Sequence, residues 1–262
     1  MEDVVVRIEK KLPKLKDAIM IAGFPGIGFV GKICVDQLVE DLKPVKFATV
    51  YSPFFPPQII VNFDGTVRVP QNEIYYWKNK TGKHDLILAT GDFQGVTGDS
   101  QYKISEAIIE VAKNANVTRV YTLGGLGTGA IPKKPKIFGA ATSKALIEEL
   151  KKLSVDFRPG GGIFGAAGLI TGMCVLNKID GVCLMGETQG EFLDAKASEA
   201  VLKLISQILD IKINFDAFGK KVAETEKNIN EIKKMIEEQR KQFEQATQKQ
   251  EYANAPRLGY IQ

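Results

Sequence analysis

Residues 17–40 read DAIMIAGFPGIGFVGKICVDQLVE. After Asp17 the chain is apolar up to Gly23, the pattern of a short strand buried on both faces. Residues 24–31 are glycine-rich, which permits a tight turn. Residues 30–41 then carry apolar side chains at helical spacing. VKFATVY at 45–51 predicts the next strand. Buried strands alternating with amphipathic helices in this way argue for βαβ units and a largely parallel sheet.

The same alternation continues outward. DLILATG (85–91), RVYTLGG (119–125) and GVCLMGE (181–187) are short apolar runs that predict buried strands. Residues 100–116 predict a helix with Ile104, Ala107, Ile108 and Val111 on one face. Residues 141–153 and 196–211 predict two more. The fold expected is α/β: one core domain over 1–213, with a mixed, mainly parallel sheet and helices on both faces. Residues 59–63 and 66–70, split by Asp64-Gly65, predict a hairpin that makes the sheet mixed. Residues 75–77 predict an edge strand. Ser52-Pro53-Phe54-Phe55-Pro56-Pro57 predicts a stiff loop, because proline lacks the ladder donor. Phe54, Phe55 and Trp77 are expected to be exposed, and with them self-association is expected.

The character changes near residue 214. Phe215, Phe218, Val222, Thr225, Ile229, Ile232, Ile236, Gln239, Phe243 and Ala246 alternate by three and four. That is a heptad seam, set among Lys, Glu, Gln and Asn. It predicts a long charged helix over 214–250, packed either on its own domain or on a partner. Residues 251–262 read as a flexible tail, because Pro256 and Gly259 stop the helix.

Several function classes are disfavoured by composition. The net charge of +4 is spread among mixed Lys, Arg, Asp and Glu, so no nucleic-acid surface is expected. No run is long and apolar enough for a membrane helix, and Met1-Glu2-Asp3 does not open a signal peptide. The three cysteines lack metal or redox spacing and read as buried hydrophobes of a reducing, cytoplasmic compartment. The single histidine, His84, gives no metal cluster.

Gly26-Ile27-Gly28-Phe29-Val30-Gly31 is a literal dinucleotide fingerprint, but the second strand ends without the ribose-binding carboxylate. Gly26 to Lys32 also fits a P-loop, except that Ile33 stands where a hydroxyl should meet magnesium. Backbone packing is therefore the expected use of these glycines, with no cofactor. Gly124–Gly129 and Gly160–Gly172 add two glycine-rich stretches. The three could pool backbone N–H groups into an anion loop, with Gly26, Gly28, Gly127 and Thr128 as the candidates. Asp92 with Glu187 is the candidate acid–base pair.

AGFPGIGFVGK (22–32), GDFQG (91–95), GGLGTG (124–129) and GGGIFGAAGLITG (160–172) followed by GVCLMGET (181–188) appear in this order. Together they resemble the proteasome assembly chaperone family, in its archaeal members. The resemblance implies a phosphorylase-like α/β fold without catalysis, homo-oligomers, and assembly of the 20S core particle through its α subunits. It also implies that a hydrophobic-Tyr-X tail docks between those subunits. Here Tyr260 takes the place of the hydrophobe and Ile261 that of the tyrosine. Leu258, Tyr260, Ile261 and Gln262 are the partner-binding residues so implied. A phosphorylase-like or ligase-like enzyme using the glycine loops is the alternative.

Overall fold

In chain order the strands and helices are β1 (Val5–Ile8), β2 (Ile19–Gly23), α1 (Val30–Leu42), β3 (Val45–Tyr51), β4 (Ile60–Val61) and β5 (Val67–Arg68). They continue with β6 (Asn72–Trp77), β7 (Leu86–Gly91), α2 (Gly98–Asn114), β8 (Arg119–Gly127), β9 (Ile137–Ala141) and α3 (Lys144–Lys151). Last come β10 (Val155–Asp156), α4 (Gly165–Leu176), β11 (Asp180–Thr188) and α5 (Ala195–Leu209). This computed structural model describes residues 3–190 and 192–220. Of the helix expected over 214–250, residues 221–250 lie outside the described residues, and so does the tail.

One nine-stranded sheet runs β1-β3-β6-β7-β2-β8-β11-β9-β10. Its centre, β7-β2-β8-β11, is parallel throughout. These are the strands with continuous apolar runs, because both faces of each are covered. On one side of the sheet α1 packs against β2, β7, β8 and α5. On the other, α2 and α4 pack on each other, with α4 also against β8 and β11. Met20, Ala22, Ile87, Ala89 and Val120 join Ile104, Ile108 and Ile170 in the larger core on that second side. The period of two along each strand sends the intervening residues to the α1 side.

Local chemistry explains the helix ends. Thr97 and Ser100 form a reciprocal capping box at the start of α2, with Asp99 in its first turn. Ser143 caps α3, and Asp194 caps α5 through Ala197 N at 2.9 Å. Asn214 caps a helical stretch at 215–219, and Phe218 there is buried.

The mixed, two-faced α/β architecture expected from the sequence is present. Several details differ. The hairpin forms, but as a separate two-stranded ribbon outside the main sheet. The sheet is mixed because β1, β3, β6 and β9 pair antiparallel. Residues 72–77 form an inner strand between β3 and β7 and not an edge. Phe55 is buried, and Phe54 and Trp77 are half-buried, so they do not form the exposed aromatic surface expected. Strands β1, β9 and β10 and helix α4 were not anticipated. In IFGAA (137–141) small residues replace the β-branched ones that mark strands. Glycines in 165–176 lower helix propensity.

Cys34, Cys174 and Cys183 are buried and unbridged. Burial raises all three thiols above the ordinary range, Cys174 to about 12 and Cys183 to about 11. The thiolate is the reactive form, so a disulfide reagent at neutral pH should label the folded protein negligibly and all three thiols once it is unfolded. Rapid labelling of one thiol in the native state would show that its site opens.

Candidate functional site

The carboxyl ends of β2, β8 and β11 bring their following loops together, where open α/β sheets place their sites. The turn after β2 is the tightest part. Residues Ile27–Phe29 make one 3-10 turn, with Gly28 at φ 62° and Phe29 at φ 54°. Positive φ is ordinary for Gly28 and strained for the bulky Phe29. Thr188, fully buried at the end of β11, locks this turn from below. Its carbonyl accepts from Thr128 N at 2.9 Å, and its hydroxyl from Gly190 N at 3.2 Å. A Cβ on Gly28 would lie 2.9 Å from that hydroxyl. The Gly28 carbonyl accepts from Asp194 N at 2.9 Å, which fixes the start of α5.

Other glycines permit backbone-to-backbone contact. A Cβ on Gly125 would lie 2.3 Å from the Ile27 carbonyl, and one on Gly31 would lie 2.0 Å from that of Leu123. Between the loops lies a cavity of about 60 Å³, lined by Phe24, Gly26, Gly124, Gly125, Gln94 and Phe164 among others. Sites for small organic ligands typically occupy roughly 300–1,000 Å³.

Gln94 crosses this cavity. Its Nε2 donates to the Pro25 carbonyl at 2.5 Å. Its Oε1 accepts from Ala166 N at 2.8 Å and from Gln101 Nε2 at 3.2 Å. One side chain thus joins the turn after β2, the loop after β7, the start of α2 and the start of α4. Sequence reasoning quoted GDFQG as a motif but assigned Gln94 no role. Nothing in a lone glutamine signals two backbone partners 69 and 72 residues away.

The anion-loop candidates do come close to one another. Gly127 and Gly190 flank the Ile27 side chain, with Thr128 alongside and Gly26 beside Gln94. However, the amides of Phe29, Thr128, Asp194, Gly190 and Ala166 already donate to protein oxygens. Asp92 and Glu187 do not form a pair. They end β7 and β11, which have two strands between them, on the order of 14 Å apart. Glu187 instead accepts from Lys136 N at 3.2 Å. His84 lies at the other end of the sheet, its Nδ1 3.0 Å from the Asp17 carbonyl. Among the described residues no three His, Cys, Asp or Glu side chains form a metal-holding group.

Asp92 has a different task. Arg68 on β5 donates to both its oxygens, at 2.5 and 2.9 Å, and Gln71 N donates at 2.9 Å. Burial opposes ionisation of Asp92, but the Arg68 and Gln71 hydrogen bonds outweigh it and hold the carboxyl below its usual range. This pair tethers the β4–β5 ribbon, which alone would be marginal. The folded pKa lies below the unfolded one. The stabilisation is therefore full above the usual carboxylate value near ~4 and is lost as pH falls through the folded pKa. Arg68→Ala should raise the Asp92 pKa and cost about 1–2 kcal/mol. It should also speed amide exchange at Asn62 and Gly65. An unchanged Asp92 titration, followed by NMR, would contradict this.

Above the closed cavity the surface is apolar. Phe164 is 94% exposed, Ile27 51% and Phe29 43%, and Tyr102 and Ile131 are exposed as well. Phe164 connects the cavity below Ile27 to a second hollow beside Tyr102. Ile27 and Phe164, both exposed, thus line the same hollow as an apolar patch of the kind that contact surfaces carry.

Fold and site thus define a mixed α/β protein whose glycine loops close on themselves. The PAC2 family pattern matches residues 20–233, and the chain belongs to that family. This is the proteasome assembly chaperone family that the motifs resemble. A Methanocaldococcus jannaschii relative, the uncharacterized protein MJ1210, is 37% identical over 230 residues, covering 87% of this chain and 88% of its own. Among solved structures, Pyrococcus furiosus PbaB, an archaeal proteasome activator, superposes with a TM-score of 0.82 at 33% identity. That match covers 89% of this chain and all of PbaB. Pyrococcus furiosus PbaA, an archaeal homolog of proteasome-assembly chaperone, superposes at 0.72 with 25% identity, over 94% of this chain and 98% of its own.

Proposed function

We propose that this protein is a non-catalytic, homo-oligomeric chaperone of proteasome assembly that binds α subunits of the 20S core particle. The observation that carries this reading is the likeness to PbaB, an archaeal proteasome activator, over 89% of this chain and within a shared family. The exposed Ile27 and Phe164 side chains, beside amides of Phe29, Thr128 and Ala166 that already donate to protein oxygens, support protein binding over small-molecule chemistry. The tail residues Leu258, Tyr260, Ile261 and Gln262 contribute part of the contact, with Tyr260 as the aromatic anchor.

The test is co-elution of the purified protein with recombinant archaeal α subunits, followed by titration. The full chain should co-elute. Deleting Tyr260 to Gln262 should leave the fold intact and weaken binding roughly thirtyfold, the usual cost of losing a buried aromatic anchor. Absence of any complex with the full chain would overturn the reading. Equal affinity of the truncated chain would remove the tail from it.

A further inference from the structure

Away from the apolar cluster, a groove of about 1030 Å³ runs between the loop before β9, the β10 edge and α5. Lys133, Lys134 and Lys136 line it from the loop, and Lys196 and Lys203 from α5, against Asp156 and Glu199. All five lysines are exposed. Lys203 pairs with Glu199 at 2.6 Å and Lys136 with Asp156 at 3.9 Å. Lys133 and Lys134 have no ion pair among the described residues. Lys133, Lys134, Lys136 and Lys203 against Asp156 and Glu199 leave a positive excess in one concave surface, which concentrates field lines there.

Two further features give the groove a direction. Strand β10 is the outermost strand of the main sheet, and its only ladder within the described residues is the one to β9. A free edge accepts an added strand through backbone hydrogen bonds. The lysine loop is also held in place: Lys136 N donates to Glu187, and the Lys136 carbonyl accepts from Glu187 N at 2.8 Å. The backbone at Lys136 is therefore anchored beside β10, and the lysines next to it line the same groove.

We propose that this groove is a docking site for an extended, acidic peptide segment of a partner protein, laid along β10 with its carboxylates toward the lysines. A nucleic acid fits less well. No aromatic side chain lines the groove to stack a base, and Asp156 and Glu199 would oppose a continuous phosphate backbone. This chain's own segment beyond residue 220 is nearly balanced, with eight Lys and Arg against seven Asp and Glu, so it is not the acidic ligand the groove calls for. The proposal is independent of the proteasome reading.

The experiment uses the full chain and fluorescence anisotropy. The probe is a short labelled peptide alternating Glu or Asp with Val or Thr. A second peptide has Gln and Asn in place of the acids, and an oligodeoxythymidylate is the third probe. The acidic peptide should bind, and added salt should weaken it. The double variant Lys133→Glu, Lys134→Glu should lose about tenfold or more in affinity, as expected for like charges brought face to face. The variant Lys80→Glu, Lys83→Glu makes the same change in net charge in the turn before β7 and should bind as the parent does. The proposal is overturned if the parent fails to bind the acidic peptide, or if the Lys133/Lys134 variant binds it equally. It is also overturned if the uncharged peptide binds as well, or if the oligonucleotide binds more tightly.

Discussion

Gly31→Val should leave little folded protein at room temperature. Gly31 is buried in the first turn of α1, and its Cβ would lie 2.0 Å from the Leu123 carbonyl oxygen and 2.7 Å from its carbon. Those atoms belong to β8, whose ladder with β2 cannot shift without breaking. The same Cβ would also lie 3.3 Å from Gly23 Cα on β2, so it meets the backbone of both strands. Overpacking against them should cost at least about 4 kcal/mol, a large part of the ~5–15 kcal/mol that holds a domain together. Gly31→Ala places the same Cβ and should be nearly as severe. Gly172→Ala is the informative contrast. Nothing lies within 4 Å of a Cβ at Gly172 in α4, so the helix should gain about 0.5–1 kcal/mol. Urea unfolding of the three variants checks the argument. Parent-like stability for Gly31→Ala would mean that α1 and β8 are less tightly apposed than described.

Gln94→Ala should destabilise the protein by roughly 2–4 kcal/mol without changing its fold. The substitution leaves the Pro25 carbonyl without its Gln94 donor and Ala166 N without its acceptor, and each lost partner costs about 1–3 kcal/mol where water cannot replace it. The loss is local. Hydrogen exchange should rise at the turn after β2 and at the first turn of α4, while β7 stays protected. Gln94→Glu gives a finer test. Its carboxylate still accepts from Ala166 N, at a helix N-terminus that favours negative charge, but it no longer donates to Pro25. It should fall between the parent and Gln94→Ala. If Gln94→Ala unfolds at the parent's midpoint, the cavity is closed by packing and not by this amide.

The family membership bears on how these residues are weighed. A glycine-rich turn after a first strand invites a nucleotide-binding interpretation, and here its physical role is different. Gly28, Gly31 and Gly125 each stand where another backbone or the Thr188 hydroxyl approaches too closely for a Cβ. Within the motif, the Phe29 amide is already taken by the Gly26 carbonyl, and the Gly28 carbonyl by Asp194 N.

The sequence by itself determined the central layers. Runs such as IMIAG and LILATG are apolar without alternation because parallel strands are covered on both faces. Helix α2 announces itself by its Ile104–Ala107–Ile108–Val111 face, whereas its Thr97 cap emerged only in the structure. Those signals are local, carried by neighbours in the chain, so they can be read without coordinates. The order of the motifs also pointed to the family. What only the tertiary structure decided are the features made by residues far apart in sequence. The glycine-laden α4 is a helix because β8, β11 and α2 give it surfaces to pack against. The ribbon at 60–68 stands apart from the sheet, and its link is Arg68 to Asp92, a pairing 24 residues long. Asp92 and Glu187 were separated by strand order, and Gln94 gained its partners 69 and 72 residues away. Such contacts depend on how strands are ordered across the sheet, and hydrophobic period, which records only burial along one element, does not encode that order.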